Sequence, residues 1–346
     1  MTMENHRLYL ALKNKICELI YKGVYKEGEN IPPERTLAES LNVSRVTVRK
    51  ALHLLEKDGI VERVQGSGTV VRLKETGYEG TMDIIALLAP AQRPFFSSFI
   101  DHFQKNAEKN DSLVLFMQNP QDEKVEDSLF RLFQKNIRNV VLWLEDLKLD
   151  GEYIKRLRGL GMNIVFFDIT LPSPYADCVF LDNHDAVATL YGFLKAKGVE
   201  SICYIGWDNP GLSSVRERED TYTSMGINTK RRYHIPWREK YRLQEYMEKF
   251  AEDFKRAGNL PGGIICGDGE IGIALKKAFL SHGMEDIPIA SVDDFPEAKG
   301  LALSVYMQSF ESLAEKVYQC LSEQNTNPGG WKAALYPVKG KLIERG

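Results

Sequence analysis

Residues 44–49, Ser-Arg-Val-Thr-Val-Arg, combine a helix cap, two cations and the start of an apolar stripe. Arg45 and Arg49 are one helical turn apart and share a face, with Thr47 placed beside them. The opposite face carries apolar side chains at i, i+3, i+4 and i+7, namely Val48, Ala51, Leu52 and Leu55. A helix with a buried back and a cationic front suits a DNA major groove. An ordinary solvated face is the alternative that these six residues leave open.

The flanking sequence favours the DNA interpretation. An amphipathic helix is predicted over residues 7–22, and a second helix begins at Pro33, a residue suited to the first turn. Ser44 is placed to cap the third helix. Beyond it, two apolar runs flank a Gln-Gly-Ser-Gly turn at 65–68, which predicts a β-hairpin. Three helices with a tight turn between the last two, followed by a hairpin, indicate a winged helix-turn-helix.

Residues 8–72 resemble the DNA-binding domain of the GntR family of bacterial transcription regulators. Three motifs carry the resemblance in family order, at residues 28–39, 43–52 and 66–71. The resemblance implies DNA contacts from the arginine ahead of the second helix, from two arginines on the third helix and from the glycine wing. On this chain the implied contacts are Arg35, Arg45, Arg49 and Gly66, with Ser44 and Thr47 at phosphate or backbone positions.

Charge is unevenly distributed along the chain. Residues 1–75 carry a net charge of +3 and the remainder −6, which places the attraction for phosphate at one end. Glu34 and Glu39 dilute this charge and are expected to be helix caps and solvent-facing partners rather than residues that read DNA. Because the head is only mildly basic, we expect a homodimer whose two heads bind double-stranded operator DNA.

Length and composition restrict the remaining possibilities. A chain of 346 residues fits two or three domains. No signal-peptide pattern and no apolar run of ~20 residues is present, so a cytoplasmic protein without a membrane partner is expected. Five scattered cysteines and six isolated histidines form no metal-binding spacing. The sequence therefore predicts reduced thiols, no metal and no cofactor.

Beyond residue 82, short apolar runs alternate with amphipathic segments. Strands are predicted at 84–89, 113–117, 140–144, 164–167, 202–205, 263–266 and 289–292. Helices are predicted between the strands, for example at 97–109, 125–134, 185–197, 244–256 and 271–282. The alternation indicates parallel sheets covered by helices, and a break near residue 180 suggests two lobes. The expected fold class is α/β, with a winged helix-turn-helix over 1–75, a linker over 76–82 and a two-lobed, doubly wound domain over 83–346.

Residues 82–346 resemble the effector-binding domain of the LacI/GalR repressors, itself similar to periplasmic sugar-binding proteins. The matching pieces, in family order, are residues 181–186, 213–215 with Arg218, 292–294 and 335–346. Thr221 stands where the family usually has glycine, and Ile271 where it often has alanine, which bears on local packing and pocket shape. A GntR-type head on a LacI-type body resembles the arabinose-repressor subfamily.

That resemblance implies a repressor released from its operator by a monosaccharide such as arabinose. Another sugar such as fucose, a sugar phosphate and action as an activator remain alternatives. Position by position, Asp293 would accept from sugar hydroxyls, Arg218 would donate to sugar oxygens and Asp168 would add a second carboxylate. The aromatic candidates for the C–H faces of the sugar are Phe95 or Phe96, Trp237 and Phe310.

Each of these residues also has a structural interpretation. Asp168 and Asp293 end predicted strands, where a carboxylate can simply cap a helix. Arg218 belongs to an Arg-Glu-Arg-Glu run that is typical of a solvated face. Aromatic residues at positions such as Trp237 and Phe310 commonly belong to the core.

Residues 267–272, Gly-Asp-Gly-Glu-Ile-Gly, match the dinucleotide-binding fingerprint, with Asp286 nineteen residues after Gly267. An NAD(P)-dependent oxidoreductase is therefore the rival hypothesis. Asp268 and Glu270 oppose it, because they would bring negative charge toward a pyrophosphate. The motif also comes late in the series of strands and helices. The regulator hypothesis instead places Asp268 at an effector cleft and predicts that the chain is not an enzyme.

Overall fold

The computed structural model describes residues 3–73, 80–89, 94–118, 124–144, 149–170, 175–225, 231–258 and 260–345, except the side chains of 3–7 and 94–96. Most of the predicted linker at 76–82 lies outside the described residues. Among the described residues, no helix is long and apolar enough to cross a membrane.

The N-terminal head is a three-helix unit with a small antiparallel sheet. Its helices and strands are α1 (Met3–Tyr21), β1 (Asn30–Ile31), α2 (Glu34–Ser40), α3 (Arg45–Lys57), β2 (Val61–Val64) and β3 (Gly68–Val71). The predicted cap is confirmed, since the Ser44 hydroxyl accepts from the Thr47 amide at 3.1 Å. The predicted hairpin forms β2 and β3, and β1 adds a third strand that the sequence did not predict. The back of α3 is buried as expected, with Val48, Ala51, Leu52 and Leu55 in the core.

The first lobe begins with a parallel β-sheet whose strands alternate with helices. Its elements are β4 (Ile84–Ala89), α4 (Pro94–Lys109), β5 (Leu113–Gln118), α5 (Val125–Gln134), β6 (Asn139–Leu142), α6 (Gly151–Gly159), β7 (Asn163–Phe167) and β8 (Asp177–Leu181). The order β8-β7-β6-β4-β5 places the second strand beyond the first, as in a doubly wound sheet.

The second lobe repeats this plan. Its elements are α7 (Asn183–Ala196), β9 (Ile202–Asp208), α8 (Ser213–Ser224), β10 (Arg232–Pro236), a 3₁₀ helix (Trp237–Arg242), α9 (Leu243–Ala257), β11 (Gly263–Cys266), α10 (Gly269–Ser281), β12 (Ile289–Val292), α11 (Pro296–Gly300) and β13 (Ser304–Met307). Its strand order is β10-β9-β11-β12-β13, with all four pairings parallel.

The C-terminal segment, from residue 310 onward, packs against both lobes and connects them. Its elements are α12 (Phe310–Thr326), β14 (Leu335–Val338) and β15 (Lys341–Ile343). Helix α12 packs on α4 of the first lobe, β14 extends the first sheet beside β8, and β15 pairs antiparallel with β13. Within the described residues the chain thus passes between the lobes after β8, β13 and β14. The predicted fold class, a winged helix-turn-helix with a two-lobed doubly wound domain, is confirmed.

The head packs directly against the first lobe. One continuous cluster of buried apolar side chains runs from α1 and α3 into the sheet and helices of that lobe. Tyr21 stacks on Phe130 with ring centroids 4.6 Å apart, and it meets Tyr153 at 5.1 Å. Gly159 approaches Leu73 so closely that a Cβ there would lie 2.7 Å from the Leu73 Cβ. Packing therefore connects the head to the body in addition to the chain between them.

Candidate effector cleft and DNA-contacting face

The cleft between the lobes collects side chains from the carboxyl ends of both sheets, where open α/β sheets place their ligands. It encloses a volume of about 110 Å³. Its charged and amide side chains are Asp168, Arg218, Lys240, Asp268, Glu270, Asp293 and Gln308. Its aromatic side chains are Trp143, Trp207, Trp237 and Phe295. The cleft therefore combines flat apolar walls with strong hydrogen-bonding groups.

Arg218 is the buried cation of the cleft. It extends from α8, and its guanidinium donates to the Asn183 Oδ1 and to the Gly267 carbonyl, both at 2.7 Å. Its Nη1 lies 3.5 Å from the Oδ2 of Asp293, and both side chains are almost fully buried. Gln308 donates a further hydrogen bond to Asp293. The interpretation of Arg218 as part of a solvated charge run is therefore wrong, because α8 turns this one side chain inward.

Asp168 supplies a second carboxylate to the cleft from the first lobe. It follows β7, has a left-handed backbone with φ of 61°, and accepts a hydrogen bond from the side chain of Trp143. Burial raises its pKa from 3.8 to about 7, and the negative charge of Asp293 acts in the same direction against the favourable charge of Arg218. Burial likewise raises the pKa of Asp293. Asp168 and Asp293 thus lie near the same buried arginine, and burial favours the binding of a proton by this pair of carboxylates.

Aromatic rings form the walls of the cleft. Trp237 lies at the start of the 3₁₀ helix and meets Trp207 edge to face, with centroids 5.4 Å apart. The ammonium of Lys240 lies 4.2 Å from the Trp237 ring centroid. Trp143 meets Phe167 at 4.6 Å in the same edge-to-face manner. Of these rings only Trp237 was predicted, although Trp143 directly follows β6 and Trp207 is the second-last residue of β9.

The cleft lining does not include the ring of Phe310, and the predicted Phe95 and Phe96 have no described side chains. Phe310 is half-buried against the apolar core of the first lobe and borders a neighbouring depression instead. Phe310 begins α12 and lies apart from the cleft in this arrangement of the lobes, so its expected role as a cover for the ligand stays a prediction. The side chains of Phe95 and Phe96 lie outside the described residues.

Asp268 lines the cleft, as expected, and also caps α10 through hydrogen bonds from the Glu270 and Ile271 amides at 2.8 and 3.4 Å. The three glycines of the dinucleotide-like motif serve close packing, because a Cβ at each would collide with a neighbouring side chain. The neighbours are Tyr204 for Gly267, Phe295 for Gly269 and Ser291 for Gly272. Internal packing therefore accounts for the glycines that suggested a nucleotide site.

The predicted DNA-contacting arginines, Arg35, Arg45 and Arg49, are all exposed. Arg45 begins α3, and Arg49 follows one turn later. Arg49 is paired with Glu34 at 3.0 Å, and Arg35 is paired with Glu39 along α2 at 2.9 Å. Both glutamates are therefore partners of arginines on this surface, as expected. Neither of them is the N-cap residue of α2, which is Pro33.

Thr47 does not lie beside Arg45 and Arg49, which corrects the prediction. Two residues along a helix are separated by roughly 200° of rotation, so Thr47 turns to the buried side. Only 9% of it is exposed, and its hydroxyl lies 2.8 Å from that of Ser44. Val46, which the sequence analysis missed, is instead 61% exposed next to Arg45. Gly66 lies at the tip of the wing with φ of 81°, a backbone conformation that favours glycine.

The described residues contain no cluster of three or more metal-ligating side chains. All five cysteines are buried free thiols. Burial raises the pKa of Cys178, for example, to about 12. These thiols therefore belong to the core and are not nucleophiles at neutral pH.

Two family profiles match the chain. Residues 8–71 match bacterial regulatory proteins of the gntR family, and residues 81–302 match periplasmic binding proteins and the sugar-binding domain of the LacI family. The second match covers more than half of the chain. Residues 72–80, between the head and the first lobe, separate the two matches.

One curated relative is similar over most of the chain. The arabinose metabolism transcriptional repressor of Geobacillus stearothermophilus is 24% identical over 304 residues, which cover 83% of this chain and 82% of the relative. Two solved structures share the fold of the body. The Cra transcriptional dual regulator of Pseudomonas putida, in complex with fructose 1-phosphate, has a TM-score of 0.64 at 16% identity and covers 77% of this chain and 99% of its own. The lac repressor dimer bound to operator and the anti-inducer ONPF has a TM-score of 0.63 at 14% identity, with coverages of 77% and 93%.

Proposed function

Because the chain belongs to the family of periplasmic binding proteins and LacI sugar-binding domains, with a gntR-family domain ahead of it, we propose that it binds operator DNA through its head and a small sugar in its cleft. The predicted regulator of transcription is confirmed by these families, and the oxidoreductase hypothesis is wrong. We further propose that it acts in the cytoplasm as a homodimer on a pseudo-palindromic operator. A single head exposes one recognition helix, so a dimer would double the contacts.

The buried Arg218–Asp293 pair between tryptophan walls is the observation that supports a sugar ligand. A sugar presents hydroxyls at its edges and C–H groups on its faces, so it needs charged hydrogen-bonding groups together with flat apolar rings. Arabinose, the sugar in the name of the Geobacillus relative, is our first candidate.

The charges of the cleft favour an uncharged sugar over a phosphorylated one. Its lining includes four carboxylates and two cations, and Arg218 already faces Asp293. A phosphate dianion would meet net negative charge in a partly desolvated site, which is unfavourable. The ligand of this chain would then differ from the fructose 1-phosphate held by the Pseudomonas structure.

A thermal-shift screen of the purified protein tests the ligand. We expect an uncharged monosaccharide, arabinose or a close relative such as fucose, to raise the melting temperature, and its phosphate ester to have no effect. Stabilisation by the phosphate ester alone would contradict the charge argument. The absence of a shift with every uncharged monosaccharide would contradict the proposal of a simple sugar effector.

We propose that the bound sugar closes the cleft and weakens operator binding. A coupling of ~1–3 kcal/mol would change operator affinity roughly 5–150-fold. A shift assay at fixed salt, with and without the sugar found in the screen, measures this coupling. Weaker binding with sugar supports a repressor released by its effector, whereas tighter binding would favour the alternative in which sugar promotes DNA binding. Equal affinities would contradict the allosteric proposal.

A further inference from the structure

The Glu34 carboxylate accepts hydrogen bonds from one edge of the Arg49 guanidinium group, the edge formed by Nε and Nη2. The Nε of Arg49 donates to the Glu34 carboxylate at 3.2 and 3.4 Å, and its Nη2 donates at 3.0 Å. The two residues come from different helices, since Glu34 begins α2 and Arg49 lies in α3. The contact therefore depends on the packing of the helix-turn-helix.

Glu34 also lies where the two helices meet the wing. Arg63 of β2 approaches its carboxylate at 3.8 Å and that of Glu56 at 3.6 Å. The Glu34 side chain is 28% exposed, whereas that of Arg49 is 65% exposed. Glu34 is thus the more fixed member of the pair, and Arg49 projects from it toward solvent.

The geometry leaves the outer edge of Arg49 available. A guanidinium has five N–H donors in a planar fork, and Glu34 occupies those on the Nε side. The remaining donors, on Nη1 and the far side of Nη2, point away from the carboxylate. Two parallel donors of this kind match the O6 and N7 acceptors of guanine in the major groove.

We propose that Glu34 is a positioning residue that orients Arg49 for a bidentate contact with guanine and weakens its attraction to phosphate elsewhere. The inference rests on the proposed binding of operator DNA by the head. A freely rotating arginine can exchange between bases and phosphates, and a carboxylate on its inner edge removes many of those orientations. Glu34 therefore lowers the overall affinity for DNA and increases the discrimination between DNA sequences.

Glu39 provides a matched control on the same surface. It pairs with Arg35 at 2.9 Å, four residues away on the same helix, and both side chains are about two-thirds exposed or more. Glu39→Gln removes the same charge as Glu34→Gln from the same helix. It breaks an exposed pair within a single helix and leaves the contact between α2 and α3 intact, so it separates the loss of one negative charge from the loss of the Glu34–Arg49 contact.

The test begins with the full-length protein selecting a binding site from a pool of random duplexes. Affinities are then measured at fixed salt for the selected site and for a shuffled duplex. We expect Glu34→Gln to tighten binding to the shuffled duplex and weaken binding to the selected site, which lowers discrimination roughly 5-fold or more. Glu39→Gln should tighten binding to both duplexes by similar factors. In an Arg49→Ala background, Glu34→Gln should no longer change discrimination.

Equal effects of Glu34→Gln and Glu39→Gln on both duplexes would overturn the proposal. Loss of discrimination that persists in the Arg49→Ala background would overturn it as well, since Glu34 would then act through another residue. Failure of the unaltered protein to select any sequence would instead contradict the proposed DNA-binding function. The two failures are therefore distinguishable in one series of measurements.

Discussion

Tyr21 of the head lies flat against Phe130 of the first lobe, with ring centroids 4.6 Å apart and planes inclined by 5°. Tyr21 is 2% exposed, and it comes from the last turn of α1, whereas Phe130 is in α5. The stack belongs to the apolar cluster that joins the head to the lobe. A rotation of the first lobe would therefore move the head with it.

Replacing Tyr21 should uncouple the head from the body. Tyr21→Ala removes a buried aromatic ring, a type of change that costs ~3–5 kcal/mol. We expect the head to melt separately from the body in calorimetry, and sugar to lose its effect on operator affinity. Tyr21→Phe is the control, because the Tyr21 hydroxyl is buried without a hydrogen-bond partner among the described residues. Unchanged sugar control of DNA binding in Tyr21→Ala would show that the coupling runs through other residues.

Asp293→Asn should abolish the sugar response and preserve operator binding. The change keeps the shape of the side chain and tolerates the left-handed backbone of residue 293, where φ is 71°. A hydrogen bond to a charged group contributes ~1.5–3 kcal/mol, so sugar affinity should fall roughly 10–150-fold. Calorimetric titration with the effector measures the loss, and a shift assay without sugar is the control. Release from DNA by sugar at ordinary concentrations would mean that a different carboxylate holds the ligand.

Stability should decrease with rising pH because of Asp168. Its pKa is raised from 3.8 to about 7, so between these values the folded protein holds a proton that the unfolded chain releases. This contribution is fully present below pH ~4, declines as the pH approaches 7 and is absent above it. Allowing for solvent in the cleft, we expect a loss of about 1–3 kcal/mol. Urea denaturation at pH 5 and pH 8 should show this loss in the unaltered protein and a smaller one in Asp168→Asn.

Elements with local patterns were predictable from the sequence. Three strands agree with the structure at both ends, at 84–89, 263–266 and 289–292, because buried parallel strands are continuous apolar runs. The helix at 125–134 also agrees at both ends. The sequence analysis did not name α6, α8 or α12, and it missed the strands β8, β10 and β13. Several of these are short or polar, and α8 has only four buried positions in twelve residues.

The candidate site was predictable only in part, because its residues come together through topology. Asp168, Arg218, Trp237, Asp268 and Asp293 reach the cleft as expected. Trp143 and Trp207 join them because the carboxyl ends of separate strands meet there, which no local pattern indicates. The stack of Tyr21 on Phe130 is likewise a contact between distant segments, and the sequence assigned Tyr21 only to an amphipathic helix.

Val46 should contact a thymine methyl group in the operator. It is 61% exposed beside Arg45, and the C5-methyl of thymine is the apolar group that the major groove offers. Burying one methyl group contributes ~0.8 kcal/mol, so replacing that thymine with uracil should weaken binding about 4-fold. In Val46→Ala the same replacement should have little effect, while replacements elsewhere in the site affect both proteins equally. Fluorescence anisotropy with thymine and uracil versions of the selected site measures both. If every thymine tolerated replacement by uracil in the unaltered protein, Val46 would lie outside the contact surface and the two arginines would discriminate bases without it.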